Sequence, residues 1–427
     1  MKLLKRMSAP VAAALALFAA PAAADTVIIH ADSVITDADA EPTGRATVTV
    51  TDGRIVSIEE GWSATPEGAT MIHLEGKTLV PGLVDLHTHI SGDPGGEFWR
   101  AAVNPPEWYT LVAAKNARVT ALAGFTTIRD LGSRSDQVTQ SLRRATATGV
   151  VPGPRIVTSG RTIAIVGGHG DVNGFRREVN DALATSFACT GAVECAEMVR
   201  TASKYGADLI KITATGGVLS QQGRGLEAHF TPEEMKAIVD TARILGLKVA
   251  AHAHGARGIE AAARAGVQTI EHGTYLDEQA ARVMREKGTV LVPTLMALKG
   301  VSENIGTGTY TPVVEAKIRE VSPYMASLVE RGREYGVKIA FGTDAGVFPH
   351  GRNAEEFALM VEQGFTNREA LASATTIAAE VLGMQNEIGR IAPGYSADII
   401  AVDGNPLDDV TVLEDVDFVM VRGRVIE

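Results

Sequence analysis

The middle of the chain alternates between two hydrophobic periods. Short apolar runs ending near His89, Arg129, Ser159, Thr213, His252, His272, Thr294 and Asp344 read as strands. Between them, stretches such as Pro232 to Leu245, Ala256 to Ala265 and Asp277 to Lys287 carry helical spacing. Thr231-Pro232-Glu233-Glu234 is a well-formed helix start, with Thr231 as N-cap and Pro232 in the first turn. The strand leading to His87 is largely apolar, as expected of a sheet covered on both faces, and eight strand-helix units predict a parallel (β/α)8 TIM barrel, an α/β fold. An open doubly wound sheet is the alternative architecture, but no GxGxxG follows the first strand.

Both ends of the chain read differently. Val27 to His30, Ala46 to Val50 and Arg54 to Ile58 are strand-like and separated by turns such as Asp52-Gly53; Ala397 to Val402 and Asp417 to Val425 form a matching set at the far end. Neither group alone would bury a core. The expectation is one small β-sandwich domain built from residues 25–80 and 390–427, with the barrel over 81–389.

Residues 1–24 have the pattern of a secretory signal: Lys2, Lys5 and Arg6, then an apolar run from Val11 to Ala20, then Ala22-Ala23-Ala24 before Asp25. A membrane anchor is the alternative, but this run is short for a span and bounded by Pro10 and Pro21. Export to the periplasm or medium, with no membrane anchor after processing, is expected. Cys189 and Cys195, the two cysteines of the chain, would be free to pair in an oxidising compartment. Of 427 residues 45% are hydrophobic, and the net charge of -11 comes without a basic stripe, so a nucleic-acid partner is not expected.

The chemistry begins at Asp85-Leu86-His87-Thr88-His89. Residues two apart on a strand face the same way, so both imidazoles converge on one point. Lys211, His252, His272 and Asp344 each end a later apolar run, and in a barrel such strand ends meet at one mouth. An ammonium at Lys211 would be costly to bury and would repel a cation. Addition of CO2 would make it an anion with two oxygens, able to bridge two metals; an ion pair with Asp344 is the bland alternative. His254 lies two residues beyond His252, and either can be read as a ligand. His252 sits nearer the apolar run and is favoured, leaving His254 as a substrate contact.

In order and spacing, VDLHTHI, LIKITATGGVLS, VAAHAHG, TIEHG and FGTDAG resemble the amidohydrolase superfamily, in its imidazolonepropionase-like and Xaa-Pro dipeptidase-like branch. The resemblance runs from about Thr26 to the end. It implies two divalent metal ions, commonly zinc: His87, His89 and Asp344 on one, His252 and His272 on the other, carboxylated Lys211 between them. It also implies Asp344 as catalytic base and acid, a metal-activated water as nucleophile, and frequent homo-oligomers. Within the branch the chain is similar to enzymes that hydrolyse dipeptides and acyl-amino acids, ochratoxin A among them. A small-molecule amide ending in a C-terminal amino acid is therefore the expected substrate. Hydrolysis of cyclic amides or esters, or a noncatalytic scaffold, are the alternatives; a scaffold would be expected to have lost ligands.

Three residues are further candidate substrate contacts: His169 in a glycine loop, His254, and Tyr275 after His272. The family often has Thr before the Gly-Gly where this chain has Val166, and a surface-loop histidine is the alternative reading of His169. The long connection 91–110 has the length of a lid, and its Phe98, Trp99, Trp108 and Tyr109 are read as a pocket for an aryl or apolar side chain or as subunit packing. Arg129 and Arg161 are read as carboxylate binders or, preferably, as partners of a neighbouring carboxylate such as Asp130. His30, His73, His229 and His350 are given no role.

Overall fold

The computed structural model describes residues 25–94, 100–172, 175–184, 187–221 and 225–427. The expected leader, Phe98 and Trp99 lie outside them. The strands in chain order are β1 (Thr26–Val34), β2 (Ala46–Thr51), β3 (Arg54–Glu60), β4 (Thr70–Pro81), β5 (Leu83–Thr88), β6 (Phe125–Asp130), β7 (Arg155–Thr158) and β8 (Ile163–Ile165). They continue with β9 (Phe187–Cys189), β10 (Ile210–Thr213), β11 (Val249–Ala253), β12 (Thr269–His272), β13 (Val290–Val292), β14 (Ile399–Asp403), β15 (Val416–Val421) and β16 (Arg424–Val425).

Strands from both termini form one seven-stranded sheet in the order β16-β15-β14-β4-β1-β2-β3. The sheet rolls until the β2–β3 turn meets the other end: Ala397 N donates to Gly53 O, and a Cβ on Gly53 would sit 2.6 Å from Arg422 O. Val48, Ile55, Leu79, Ile399 and Met420 share the core inside the roll. The expected sandwich is thus a single rolled sheet. The Pro81-Gly82 turn is a handover, because β4 ends at Pro81 and β5 starts at Leu83. Gly82 has no room for a side chain there, since a Cβ would lie 2.2 Å from the Thr126 hydroxyl.

The barrel is built from β5, β6, β7, β10, β11, β12 and β13, all parallel to their neighbours, with residues 338–345 as the closing segment. Leu291 bridges to Ile339 and Thr88 to Ala345. Asp344 N donates to His87 O at 2.7 Å, which ties the last ligand-bearing segment to the first. The opposite seam closes through Asp208 N to Thr158 O at 2.8 Å. Helices surround these strands where the sequence places them: Pro232–Ile244 with a complete Thr231/Glu234 capping box, Ala256–Ala265, and Glu278–Lys287 capped by Asp277. Cys189 and Cys195 are bonded to each other. Among the described residues, no helix is long and apolar enough to cross a membrane.

Candidate metal centre

Alternation along the strands decides what enters the barrel. Just before β10, Leu209 packs inward with Leu131 and Ala250, while Lys211, two residues on and within β10, reaches to 3.3 Å from His87 Nε2. On β5, Val84 and Leu86 join the outer apolar layer, leaving Asp85 and His87 facing in. His272 and Asp344 use a second device. Five non-glycine residues have positive φ among the described ones, and three of them, His272, Thr294 and Asp344, follow or end barrel strands at the mouth. Such left-handed backbone is strained for these residue types and turns their side chains over the opening.

Each of these histidines spends one ring nitrogen on a protein acceptor and keeps the other for the cavity, where that of His87 meets Lys211 Nζ. His89 Nδ1 donates to Gly132 O (3.0 Å), His252 Nε2 to Gly216 O (3.2 Å) and His87 Nδ1 to Glu271 Oε2 (2.9 Å). The Thr294 hydroxyl donates to Pro293 O, so it must accept from His272 Nδ1; the Thr274 hydroxyl donates to Met325 Sδ, so it accepts from His254 Nδ1. The remaining nitrogens are lone pairs turned to one volume. Single ligand atoms of His87, His272 and Asp344, ring nitrogens or a carboxylate oxygen, gather within 4.8 Å of one another, as do ring nitrogens of His252, His254 and His272. Asp344 Oδ1 lies 3.4 Å from His87 Nε2 and 3.2 Å from His89 Nε2, yet it is buried with no hydrogen bond. Buried acceptors crowded together with Lys211 Nζ as the donor among them are what a cation site presents, and an imidazole and carboxylate set suits zinc-like ions.

The electrostatics agree. Burial pushes His87 down to about 4, helped by Lys211, and holds His252 and His272 well below the ordinary histidine value. Burial opposes the charged form of His89 too, but Asp344 outweighs it and raises that pKa. Asp344 itself is held far below the carboxylate range: burial acts to raise it, and the histidines around it prevail. Lys211 falls to about 8, mainly through burial. No ion pair between Lys211 and Asp344 forms; among the described residues no carboxylate lies within 4.0 Å of its Nζ.

The structure brings His87, His89, Lys211, His252, His254, His272, Asp344 and His169 to one cavity of about 280 Å³. His169 Nδ1 contacts the Ser220 hydroxyl at 2.7 Å, and its ring is 4.2 Å from that of His252. Gly217 makes the room, since a Cβ there would sit 2.3 Å from the His169 ring. His252 and His254 both stay within reach of His272, so geometry admits either as ligand. Tyr275 is a correction: it does not line the cavity, and its hydroxyl donates to Glu320 on the outside. Trp108 and Tyr109 are another. Both belong to the helix Pro106–Leu122, and the walls of the cavity are aliphatic, from Val218, Leu219, Leu298, Val301, Val321 and Met325.

Arg129 pairs with a carboxylate, as preferred, but the partner is Glu271 (2.9 Å) rather than Asp130. Arg161 stays near the surface beside Asp136. Glu271 and Asp85 are the functional residues that motif reading passes over. Glu271 fixes the tautomer of His87 and balances Arg129; Asp85 accepts from His87 N, from the Thr343 amide and hydroxyl, and from Asn353. Lys317, also unforeseen, donates to Gly217 O and Ser220 O and so braces the loop against His169. His350 bridges the Thr120 hydroxyl and His89 O, and His229 Nδ1 accepts from His169 N. His30 and His73 flank Trp62 in the terminal sheet.

Over 414 residues the chain is 30% identical to the ochratoxinase of Aspergillus niger, covering 92% of this chain and 84% of that protein. A solved Xaa-Pro dipeptidase with methionine bound in its active site is 38% identical, with a TM-score of 0.87 over 94% of this chain and 100% of that one. A prolidase complexed with N-methylphosphonate-L-proline is 32% identical, with a TM-score of 0.86 over 94% of this chain and 99% of that one. The amidohydrolase family profile matches residues 78–426. With its buried histidine and aspartate clusters at a barrel mouth, the chain belongs to the amidohydrolase family, hydrolases that act on C–N bonds.

Proposed function

We propose that the protein is an exported, binuclear metal amidohydrolase that cleaves the amide between an apolar acyl or aminoacyl group and a C-terminal amino acid. The observation that carries this reading is the convergence of bare histidine nitrogens and the unpartnered Asp344 oxygen on the floor of an aliphatic cavity. His87, His89 and Asp344 would hold one divalent ion, His252 and His272 the other, with Lys211 between them; zinc suits these donors. When bound, the ions would acidify water and polarise the scissile carbonyl.

Lys211 supports the bridging role through its low pKa of about 8. A neutral amine is the form that adds CO2: the Nζ lone pair bonds the carbon, the amine proton leaves to solvent, and a carbamate anion results. Asp344, ionised at neutral pH, accepts the proton of the attacking water as the water oxygen bonds the carbonyl carbon. It then returns that proton to the leaving nitrogen as the C–N bond breaks. His169, held neutral at about 3 by burial and the neighbouring His254, can donate a hydrogen bond to the carbonyl oxygen without carrying charge.

Kinship with enzymes named for ochratoxin and for X-Pro dipeptides supports a substrate with a free amino-acid carboxylate, and ochratoxin A belongs in any panel. Export draws support from the leader-like residues 1–24 and the Cys189–Cys195 bond. Homo-oligomerisation is part of the same reading, and light scattering would check it. The test of function is release of amino acid from N-acyl-amino acids and dipeptides by metal-loaded protein, and its loss in Asp344→Asn. We expect a fall of about 10²–10⁴-fold with the fold intact. A near wild-type rate removes Asp344 from this role, and turnover only of esters or cyclic amides replaces the substrate class.

A further inference from the structure

A second cavity of about 370 Å³ opens beside the first and shares His89, Thr162, His169, Gly170 and Leu219 with it. The two differ in character. The first is walled by aliphatic side chains; the second, though also largely apolar, adds Ser91, Ser133, Ser220 and Arg134 to its lining. Their shared rim includes His89 and His169, so a substrate lying across both would place its middle over the metal ligands.

Arg134 is the cation of this second cavity. Its guanidinium lies over the Tyr109 ring at 5.4 Å, and among the described residues no carboxylate comes within salt-bridge distance of it. The carboxylate lining the same cavity, Asp171, is engaged by the Gly167 amide at 2.8 Å. The loop that carries Arg134 is tied to the metal site: Gly132 O accepts from His89 Nδ1, the Ser133 hydroxyl donates to Ser135 O at 2.8 Å, and it lies 3.4 Å from that of Ser91. A guanidinium over an aromatic ring at the edge of this cavity, with no carboxylate partner among the described residues, matches a carboxylate ligand.

We propose that this second cavity, through Arg134, is the subsite for the free carboxylate of the leaving amino acid, and that Arg134 is its specificity-determining residue. The apolar group of the substrate then occupies the aliphatic cavity, and the scissile amide spans the shared rim. The inference rests on the amide-hydrolase reading for its substrate, but the site itself is open to a binding measurement that needs no turnover.

Calorimetry on metal-loaded protein with L-leucine and with L-leucinol, which lacks the carboxylate, tests it. We expect L-leucine to bind about 10- to 100-fold tighter, the range of a charge-assisted hydrogen-bonded pair. Arg134→Ala should erase the preference and Arg134→Lys should restore part of it. In turnover of N-acetyl-L-leucine, Arg134→Ala should raise KM with little change in kcat, as loss of uniform binding does. Equal binding of the two ligands by the wild type, or a preference that survives Arg134→Ala, overturns the proposal. If the preference depends on Arg134 while N-acetyl-L-leucine is not hydrolysed, the carboxylate site stands and the reaction assigned above falls.

Discussion

Replacing Glu271 by Gln keeps the volume and removes one charge from the centre of the barrel. The carboxylate is fully buried, 2.9 Å from His87 Nδ1 on one oxygen and 2.9 Å from Arg129 Nη2 on the other, where the Thr269 hydroxyl also donates. Two consequences can be sized. Arg129, 1% exposed, would keep Leu86 O and the Thr269 hydroxyl but lose its counter-charge, and breaking a buried pair in this way costs about 3–5 kcal/mol. The Gln carboxamide offers one oxygen to two donors, and with that oxygen turned to Arg129 and Thr269 His87 loses the acceptor that fixes its Nδ1 proton; loss of such support lowers metal affinity by roughly 10–100-fold. Burial acts to raise the Glu271 pKa, but Arg129 and His87 outweigh it and the value lies below the ordinary 4.5. With the folded value depressed, its stabilisation is complete above the unfolded pKa and fades as pH falls through the folded one. The deficit of the variant should therefore be full at neutral pH and shrink below about pH 4.5. Thermal unfolding of metal-free protein across pH, with chelator titration of the loaded form, reads both effects. A variant that unfolds with the wild type and binds metal equally well would refute the reasoning.

Further outcomes are expected. His252→Ala should retain about one metal equivalent where the wild type holds two, while His254→Ala keeps both and raises KM; the reverse result exchanges their roles. Reconstitution of metal-free protein in CO2-depleted buffer should give low activity that bicarbonate restores, and Lys211→Met should not respond; bicarbonate-independent recovery removes the carbamate. Cys189→Ser opens a loop whose ends are 6 residues apart and should lower stability by about 2 kcal/mol, read by thermal unfolding with and without a dithiol reductant.

Six proposed ligands were legible in the sequence because each lies at the end of an apolar run and the barrel rule gathers such strand ends at one mouth; alternation adds the direction for His87, His89 and Lys211. Glu271 was not. It shares the inward face of β12 with Thr269, so alternation alone would send His272 outward; the left-handed backbone at His272 admits both, and no local motif announces that turn. Tyr275 was misjudged for the same reason, since the chain has already turned before it. The substrate pocket was also hidden. Beside Val218 and Leu219, its walls come from the helices Leu295–Ser302 and Pro312–Met325, whose aliphatic spacing looks like any core-facing helix until the barrel mouth is assembled beneath them. The aromatics near residue 108 drew attention by composition, but Trp108 is exposed on a helix and lines neither cavity.

Anomalous diffraction at the zinc edge from crystals of the zinc-loaded protein bears most directly on the central claim. Two peaks are expected, one beside His87, His89 and Asp344 and one beside His272 with His252, and continuous density should extend Lys211 Nζ by a carboxylate group. An absence of peaks, or a bare Lys211 ammonium turned to an acidic partner, would contradict the account.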